Sequence, residues 1–268
     1  MNRIVIVFLA AFILVSCSSK FSKILKSKDV EYKYKMAEQF YAKKDYSKAQ
    51  VLYEDIFQVM KGTPRYEDMY YKFAYSYYYQ KDYSNAENLF KNFLENFPSS
   101  SKLEEIEYMR AYSFFKESPK VDLDQTNTNK TMQLMQVFIN GHPGSKRVLD
   151  ATEIIDQCRE KLEEKEYKAA QLYLNLGYYK AAAVAFGNVS DNFPDSKRAD
   201  LYKCQVVVSY YKYAEMSYEE KQQERYAKVI VEADDFLERY STSKYVDEVN
   251  KYKTASSNYL NNTKKWVS

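Results

Sequence analysis

The side chains able to do chemistry are few, and their spacing excludes most reactions. The chain has a single histidine, His142, beside Pro143. A Ser-His-Asp or Cys-His arrangement would have to be built around that one ring. With no Cys or acid at ligand spacing, it reads as a solvated loop side chain rather than a metal ligand. Five glycines scattered over 268 residues leave no phosphate-cradling loop. The carboxylate pairs Glu163-Glu164 and Glu219-Glu220 lie in polar helical stretches and read as solvated faces, not acid–base pairs. Cys158 and Cys204 lack metal-ligand spacing and read as buried free thiols, with a disulfide as the alternative. The sequence implies no catalytic residue, no metal and no cofactor.

The third cysteine differs. Residues 1–16 carry one charge, Arg3, and an unbroken apolar run of twelve residues from Ile4 to Val15. That is too short for a permanent membrane span, which needs about 20 residues, but suits the hydrophobic region of a secretory signal. The run ends in Leu14-Val15-Ser16-Cys17, which resembles a bacterial lipobox, with Val15 where Ala or Ser is commoner. The resemblance implies that residues 1–16 are removed and that Cys17 becomes a lipidated first residue, held stably because it carries more than one acyl chain. By the same resemblance Ser18 directs the chain to the outer membrane, and residues 17–28, polar and basic, read as a tether.

These few groups need elements to carry them, and the composition says which. Gly and Pro number five each, too few for the many turns of a strand-rich fold, so long helices with short connections are expected. Aromatics make up 17% of the chain, with 29 Tyr, so aromatic-rich buried faces must alternate with solvated ones. A balance of 40 basic against 37 acidic residues gives no electrostatic reason to expect nucleic acid as a partner.

Internal repetition organises the chain. Ala37-x2-Phe40 with Asp45-Tyr46-Ser47-Lys48-Ala49-x3-Tyr53 returns 37 residues later as Ala74-x2-Tyr77 with Asp82-Tyr83-Ser84-Asn85-Ala86-x3-Phe90. Ala111-x2-Phe114 and Ala170-x2-Tyr173, with Ala182-x3-Phe186, continue the series. Two antiparallel helices cross closely only where a side chain is no larger than Ala, and the large residue one turn on fills the space left. These positions match the tetratricopeptide (TPR) pattern. Pro64, Pro98, Pro143 and Pro194 close successive units, with Ser241 in the fifth, and serines before the next helical run can accept from free N–H groups there. Ser101 with Glu104 fits a capping box. The expected fold is all-α, a TPR superhelix of five helix pairs (29–64, 65–98, 102–143, 146–194 and 197–241) plus a closing helix near 244–262. Units one to three form an N-terminal part, 29–143, with an ordered insertion at 116–129; the remainder, 144–268, is C-terminal.

A lipobox followed by five such units resembles the BamD family, the lipoprotein subunits of the machinery that assembles outer-membrane β-barrels. Tyr108-Met109-Arg110-Ala111, the Asp122-x-Asp124 loop, Lys165-Glu166-Tyr167-x2-Ala170-x2-Tyr173 and Asn192-Phe193-Pro194-Asp195-Ser196 carry the resemblance. It implies a non-catalytic subunit whose N-terminal repeats hold unfolded barrel proteins by a terminal segment. It also implies C-terminal repeats that dock the periplasmic domains of a BamA-like barrel subunit. The Tyr content and the basic tail at Lys264-Lys265-Trp266 depart from better-known members. The alternative is a TPR accessory regulating peptidoglycan enzymes.

Three groups of residues follow as candidates. In a TPR pair the fifth, ninth and twelfth positions of the first helix face the inner groove. Here they are Tyr34, Glu38 and Tyr41; Tyr71, Tyr75 and Tyr78; Tyr108, Tyr112 and Phe115. An i, i+4, i+7 spacing is one helix face. Tyrosine offers broad apolar contact with a polar tip, suited to extended peptide, and barrel strands alternate apolar and polar residues. The eight aromatics are the expected substrate groove. Arg110, at a normally apolar position, needs a partner, and Asp122 and Asp124 are expected to supply it. Lys197, Arg198 and Tyr202 are expected to dock the larger subunit.

Overall fold

A computed structural model describes residues 20–264, with side chains to 262. Residues 1–19, and with them the signal segment and Cys17, lie outside the described residues. Eleven helices follow one another: α1 Val30–Ala42, α2 Tyr46–Met60, α3 Tyr66–Tyr79, α4 Tyr83–Asn96, α5 Leu103–Glu117, α6 Thr126–Gly141, α7 Val148–Asn175, α8 Tyr179–Asn192, α9 Ala199–Glu215, α10 Glu219–Arg239 and α11 Val246–Lys264. A short helical stretch at 20–25 precedes them. The fold is an all-α TPR solenoid, its five hairpins ending within a few residues of the punctuation marks in the sequence. No helix among the described residues is long and apolar enough to cross a membrane.

The recurring alanines sit where the helices cross. Ala37, Ala49, Ala74, Ala86, Ala111, Ala170 and Ala182 are all fully buried. In the third hairpin Thr131 takes the small second-helix position, also fully buried, and satisfies its hydroxyl by donating to Asn127 O at 2.8 Å.

The turns inside the first, second and fourth hairpins are six-residue Schellman closures. Asp45 N donates to Phe40 O, Asp82 N to Tyr77 O and Tyr178 N to Tyr173 O, each at 2.9–3.1 Å. The residue before each donor is left-handed: Lys44 (φ 62), Lys81 (φ 65) and Gly177 (φ 78). Asp45 and Asp82 then cap α2 and α4.

Serine does two jobs between hairpins. Ser100, Ser145, Ser196 and Ser243 each accept from the backbone N–H two residues on, at 3.0–3.1 Å. Each also donates to a carboxylate of the preceding first helix, Glu67, Glu104, Glu163 and Asp200, at 2.6–2.7 Å. One side chain thus holds the turn into a helix and fastens it to the previous repeat. The Ser101–Glu104 capping box does not form: no side chain caps the start of α5, and Glu104 accepts from Ser145 instead.

The helices divide into two compact units, up to Cys158 and from Arg159. The division falls inside α7 rather than at 143/144, since Ala151, Ile154 and Cys158 belong to the first core. Unit 1 has one continuous core; unit 2 has two clusters, one around Phe186 and Tyr202 and one around Val229 and Phe236. The stretch read as a plain tether is partly structural. Ile24 is buried in the unit 1 core, and the Phe21 ring meets Phe40 edge-on at 5.8 Å. The apolar Phe21, Ile24 and Leu25 form a helical face within an otherwise basic segment. The insertion is shorter than the sequence suggested, because α6 already begins at Thr126. Buried Gln125 organises the loop, its amide donating to the carbonyls of Lys120 and Leu123 at 2.9 and 3.1 Å.

Candidate functional site

The aromatic row of unit 1 separates into two sets by their contacts. Fifth-position tyrosines are inter-repeat seats. A cation from the start of the next hairpin lies over each ring: Arg65 over Tyr34, Lys102 over Tyr71 and Arg147 over Tyr108, at 4.8–5.5 Å. Arg198 over Tyr167 repeats this in unit 2 at 5.2 Å. Tyr108 is buried, so peptide contact is closed to it. Tyr75 is buried as well, and its hydroxyl and that of Tyr71 both donate to Glu105 on α5. Tyr75 is therefore corrected from groove lining to hairpin packing. Glu38, the one non-aromatic of the row, accepts from Tyr53 at 2.6 Å and from Lys72 at 2.5 Å, tying three helices.

The remaining aromatics form an unbroken strip. Tyr41 meets Tyr46 (5.4 Å), Tyr46 stacks on Tyr79 (4.4 Å), and Tyr79 meets Tyr78 (5.7 Å). Tyr78 meets Tyr83 (5.4 Å) and Tyr112 (6.4 Å), and Tyr112 meets Phe115 (5.8 Å). The strip runs through three hairpins, and each member keeps part of its surface open, Tyr79 most at 46%. Burial first, and neighbouring tyrosines second, push the Tyr78 hydroxyl up to about 12, so it stays a neutral donor at any physiological pH. Tyr46, Tyr79 and Tyr83 escaped a groove count based on first-helix positions. The signal for two of them is the repeated Asp-Tyr-Ser, which sets a Tyr just after each helix cap.

Arg110 is neutralised from the other direction than expected. Its Nε donates to Glu87 Oε1 on α4 at 2.8 Å, and not to Asp122 or Asp124. Glu87 lies on the neighbouring hairpin facing α5, whereas Asp124 Oδ1 accepts from Thr126 N at 2.9 Å. His142 is not merely solvated, since its Nε2 lies 2.8 Å from Glu107 Oε2.

In unit 2 the expected docking trio is largely structural. Tyr202 is fully buried and donates to Glu163. Arg198 binds Glu163 (3.0 Å) and Glu164 (2.8 Å) and lies over the rings of Tyr167 and Tyr202. Only Lys197 remains exposed. Burial pushes the Glu163 carboxyl up, but hydrogen bonds from Tyr202, Ser196 and Arg198 outweigh it and hold it below the usual carboxylate range. The open apolar surface lies elsewhere, around the turns α7–α8 and α9–α10. Leu176, Tyr178, Met216 and Tyr218 are 58–88% exposed. Tyr178 and Met216, with Tyr173, Tyr179, Val184 and Tyr213, line a cavity of about 810 Å³ that brings the two turns together. Sequence reading missed it because apolar residues in turns carry no helical period.

Cys158 and Cys204 are buried and not joined in a disulfide, and burial above all pushes the Cys204 thiol up to about 12. Among the described residues no cluster of His, Cys and acids could hold a metal.

A family model described as "YfiO: Outer membrane lipoprotein" matches residues 26–224. No curated protein matches the chain. Among solved structures, the TPR2AB-domain:pHSP90 complex of yeast Sti1 is similar at a TM-score of 0.40 and 13% identity, over 85% of this chain and 98% of that one.

Proposed function

The chain belongs to the YfiO family of outer membrane lipoproteins, the BamD family, and from that premise we propose that it is a non-catalytic, periplasm-facing subunit of β-barrel assembly with two binding surfaces. Unit 1 holds an extended segment of an unfolded barrel protein on its tyrosine strip. Unit 2 docks a BamA-like barrel subunit through the exposed patch of Leu176, Tyr178, Met216 and Tyr218. The lipid on Cys17 anchors the whole to the membrane.

The observation that carries the first assignment is the continuity of the strip from Tyr41 to Phe115. Rings ordered by one another present apolar faces and hydroxyls at little further entropy cost. An extended segment with alternating apolar and polar residues meets both. Tyr78→Ala, Tyr79→Ala and Tyr112→Ala combined should weaken binding of an unfolded barrel peptide at least tenfold, with helical circular dichroism retained. Unchanged affinity would remove the strip from the mechanism. Tyr71 and Tyr75 are poor probes, because they hold Glu105 and seat Lys102. Co-purification from solubilised membranes separates this function from regulation of peptidoglycan enzymes: a stoichiometric large β-barrel supports it, and a synthase or hydrolase in its place contradicts it.

A further inference from the structure

We propose a second binding site in unit 1, on the side of α5 opposite the tyrosine strip, that takes a carboxylate joined to an apolar group within a protein partner. The site is a cleft of about 360 Å³ among α4, α5 and α6, lined by Glu87, Lys91, Arg110, Phe114, Lys130 and Leu134 among others. At 100° per residue, Arg110 and Phe114 stand about 200° and 240° round the α5 axis from Tyr108, whereas Tyr112 and Phe115 fall within about 40° of it. The cleft and the strip therefore use different faces of one helix, and the cleft does not depend on the strip's role.

Arg110 is oriented but not used up. Its Nε is engaged by Glu87 at 2.8 Å, while its terminal nitrogens make no hydrogen bond among the described residues, and its side chain stays 26% exposed. Glu87 thus fixes the guanidinium plane and leaves free the edge that grips a carboxylate through two parallel N–H···O bonds. Lys130 Nζ lies over the Phe114 ring at 5.0 Å, and Lys91 has its acid, Glu95, only at 3.9 Å. Three cations against one lining carboxylate give the cleft a positive surplus. Phe114 and Leu134 supply an apolar wall. A monoanion fits better than a phosphate dianion, because Glu87 beside Arg110 repels a second negative charge. The chemistry favoured is an Asp, Glu or chain-terminal carboxylate next to an apolar side chain.

The test is calorimetric titration of the full chain in detergent with four probes: acetyl-Asp-Phe-amide, acetyl-phenylalanine, inorganic phosphate and acetyl-Asn-Phe-amide as the uncharged control. One or both carboxylate probes should bind, and which one does tells side-chain from chain-terminal carboxylate. Binding should fall about tenfold in Lys130→Glu and in Arg110→Lys, and stay unchanged when Tyr78 and Tyr112 are truncated. Lys130 is exposed, so Lys130→Glu keeps the fold even if Arg110→Lys does not. Equal binding of the amide control, unchanged affinity in Lys130→Glu, or binding of phosphate alone would each overturn the site.

Discussion

The two units solve one packing problem with different materials. Unit 1 fills the seams between hairpins with aromatic rings: its bridging carboxylate Glu105 is held by the hydroxyls of Tyr71 and Tyr75. Unit 1 also pairs charge across its seams, Glu67 with Lys102 being the counterpart of Glu163 with Arg198, but unit 2 buries its carboxylate more deeply. Glu163 accepts from Ser196, Arg198 and Tyr202, and Lys203 bridges Glu232 (2.6 Å) and Asp235 (2.5 Å). In unit 1 a row of partly open rings is left over as surface, whereas the most exposed apolar residues of unit 2, Met216 and Tyr218, lie in one turn. An aromatic seam leaves surface open, since a ring packed on one side still offers the other.

The sharpest contrast concerns the bridging carboxylates. Glu163→Gln takes the charge from a buried carboxylate that accepts from three side chains and should cost about 2 kcal/mol, even though Arg198 keeps Glu164. Glu105→Gln keeps an acceptor oxygen for the two neutral hydroxyls and removes only the charge, and should cost about 1 kcal/mol. Chemical denaturation of each variant measures both, and equal losses would erase the distinction.

Acid and alkali should attack opposite units. Burial pushes Glu163, Glu232 and Asp235 up, but their donors and cations outweigh it and hold all three low. A carboxylate depressed in the folded state stabilises above its unfolded value and loses that contribution as pH falls through the lowered one. Hydrogen exchange should therefore report unit 2 opening first as pH drops below about 4.5, the ordinary Glu value. In unit 1, burial above all pushes Tyr70, Tyr71 and Tyr78 up to about 12. A phenol raised in the folded state stabilises below its unfolded value near 10 and loses that as pH rises towards 12. Unit 1 should open first in alkali. The reverse order at either limit would contradict the comparison.

The smallest effect lies in the hairpin turns. Lys44 and Lys81 adopt a left-handed backbone that costs a non-glycine residue about 1 kcal/mol. Gly177 holds the equivalent place in unit 2, where an added Cβ would meet nothing within 4 Å. Lys81→Gly should raise stability by up to about 1 kcal/mol and Gly177→Ala lower it by a similar amount, both read from thermal melts.

The fold was legible because its determinants are local and periodic. Ala37, Ala74 and Ala111 repeat with a fixed offset, Pro98, Pro143 and Pro194 punctuate, and the serines that follow hold the turns. The site was legible only in outline. Helical position picked out Tyr78 and Tyr112, but nothing in the spacing said that Tyr75 and Tyr108 would be sealed by the adjoining hairpin. Nor did it say that Tyr46 and Tyr79 would stack. Arg110 was marked as needing a partner, yet Glu87 lies 23 residues earlier on another helix, where sequence proximity to Asp122 misleads. Tyr202 looked like an interface residue because burial depends on helices far along the chain.

The division of labour between the units is tested most directly by one binding measurement on two variants. A fluorescent peptide from the terminal strand of an outer-membrane barrel is titrated into the full chain. The combined substitution at Tyr78, Tyr79 and Tyr112 should weaken it at least tenfold, while Tyr178→Ser with Met216→Ser leaves it unchanged. Loss of peptide binding in the unit 2 variant, with the unit 1 variant unaffected, would contradict the assignment of the tyrosine strip as the substrate surface.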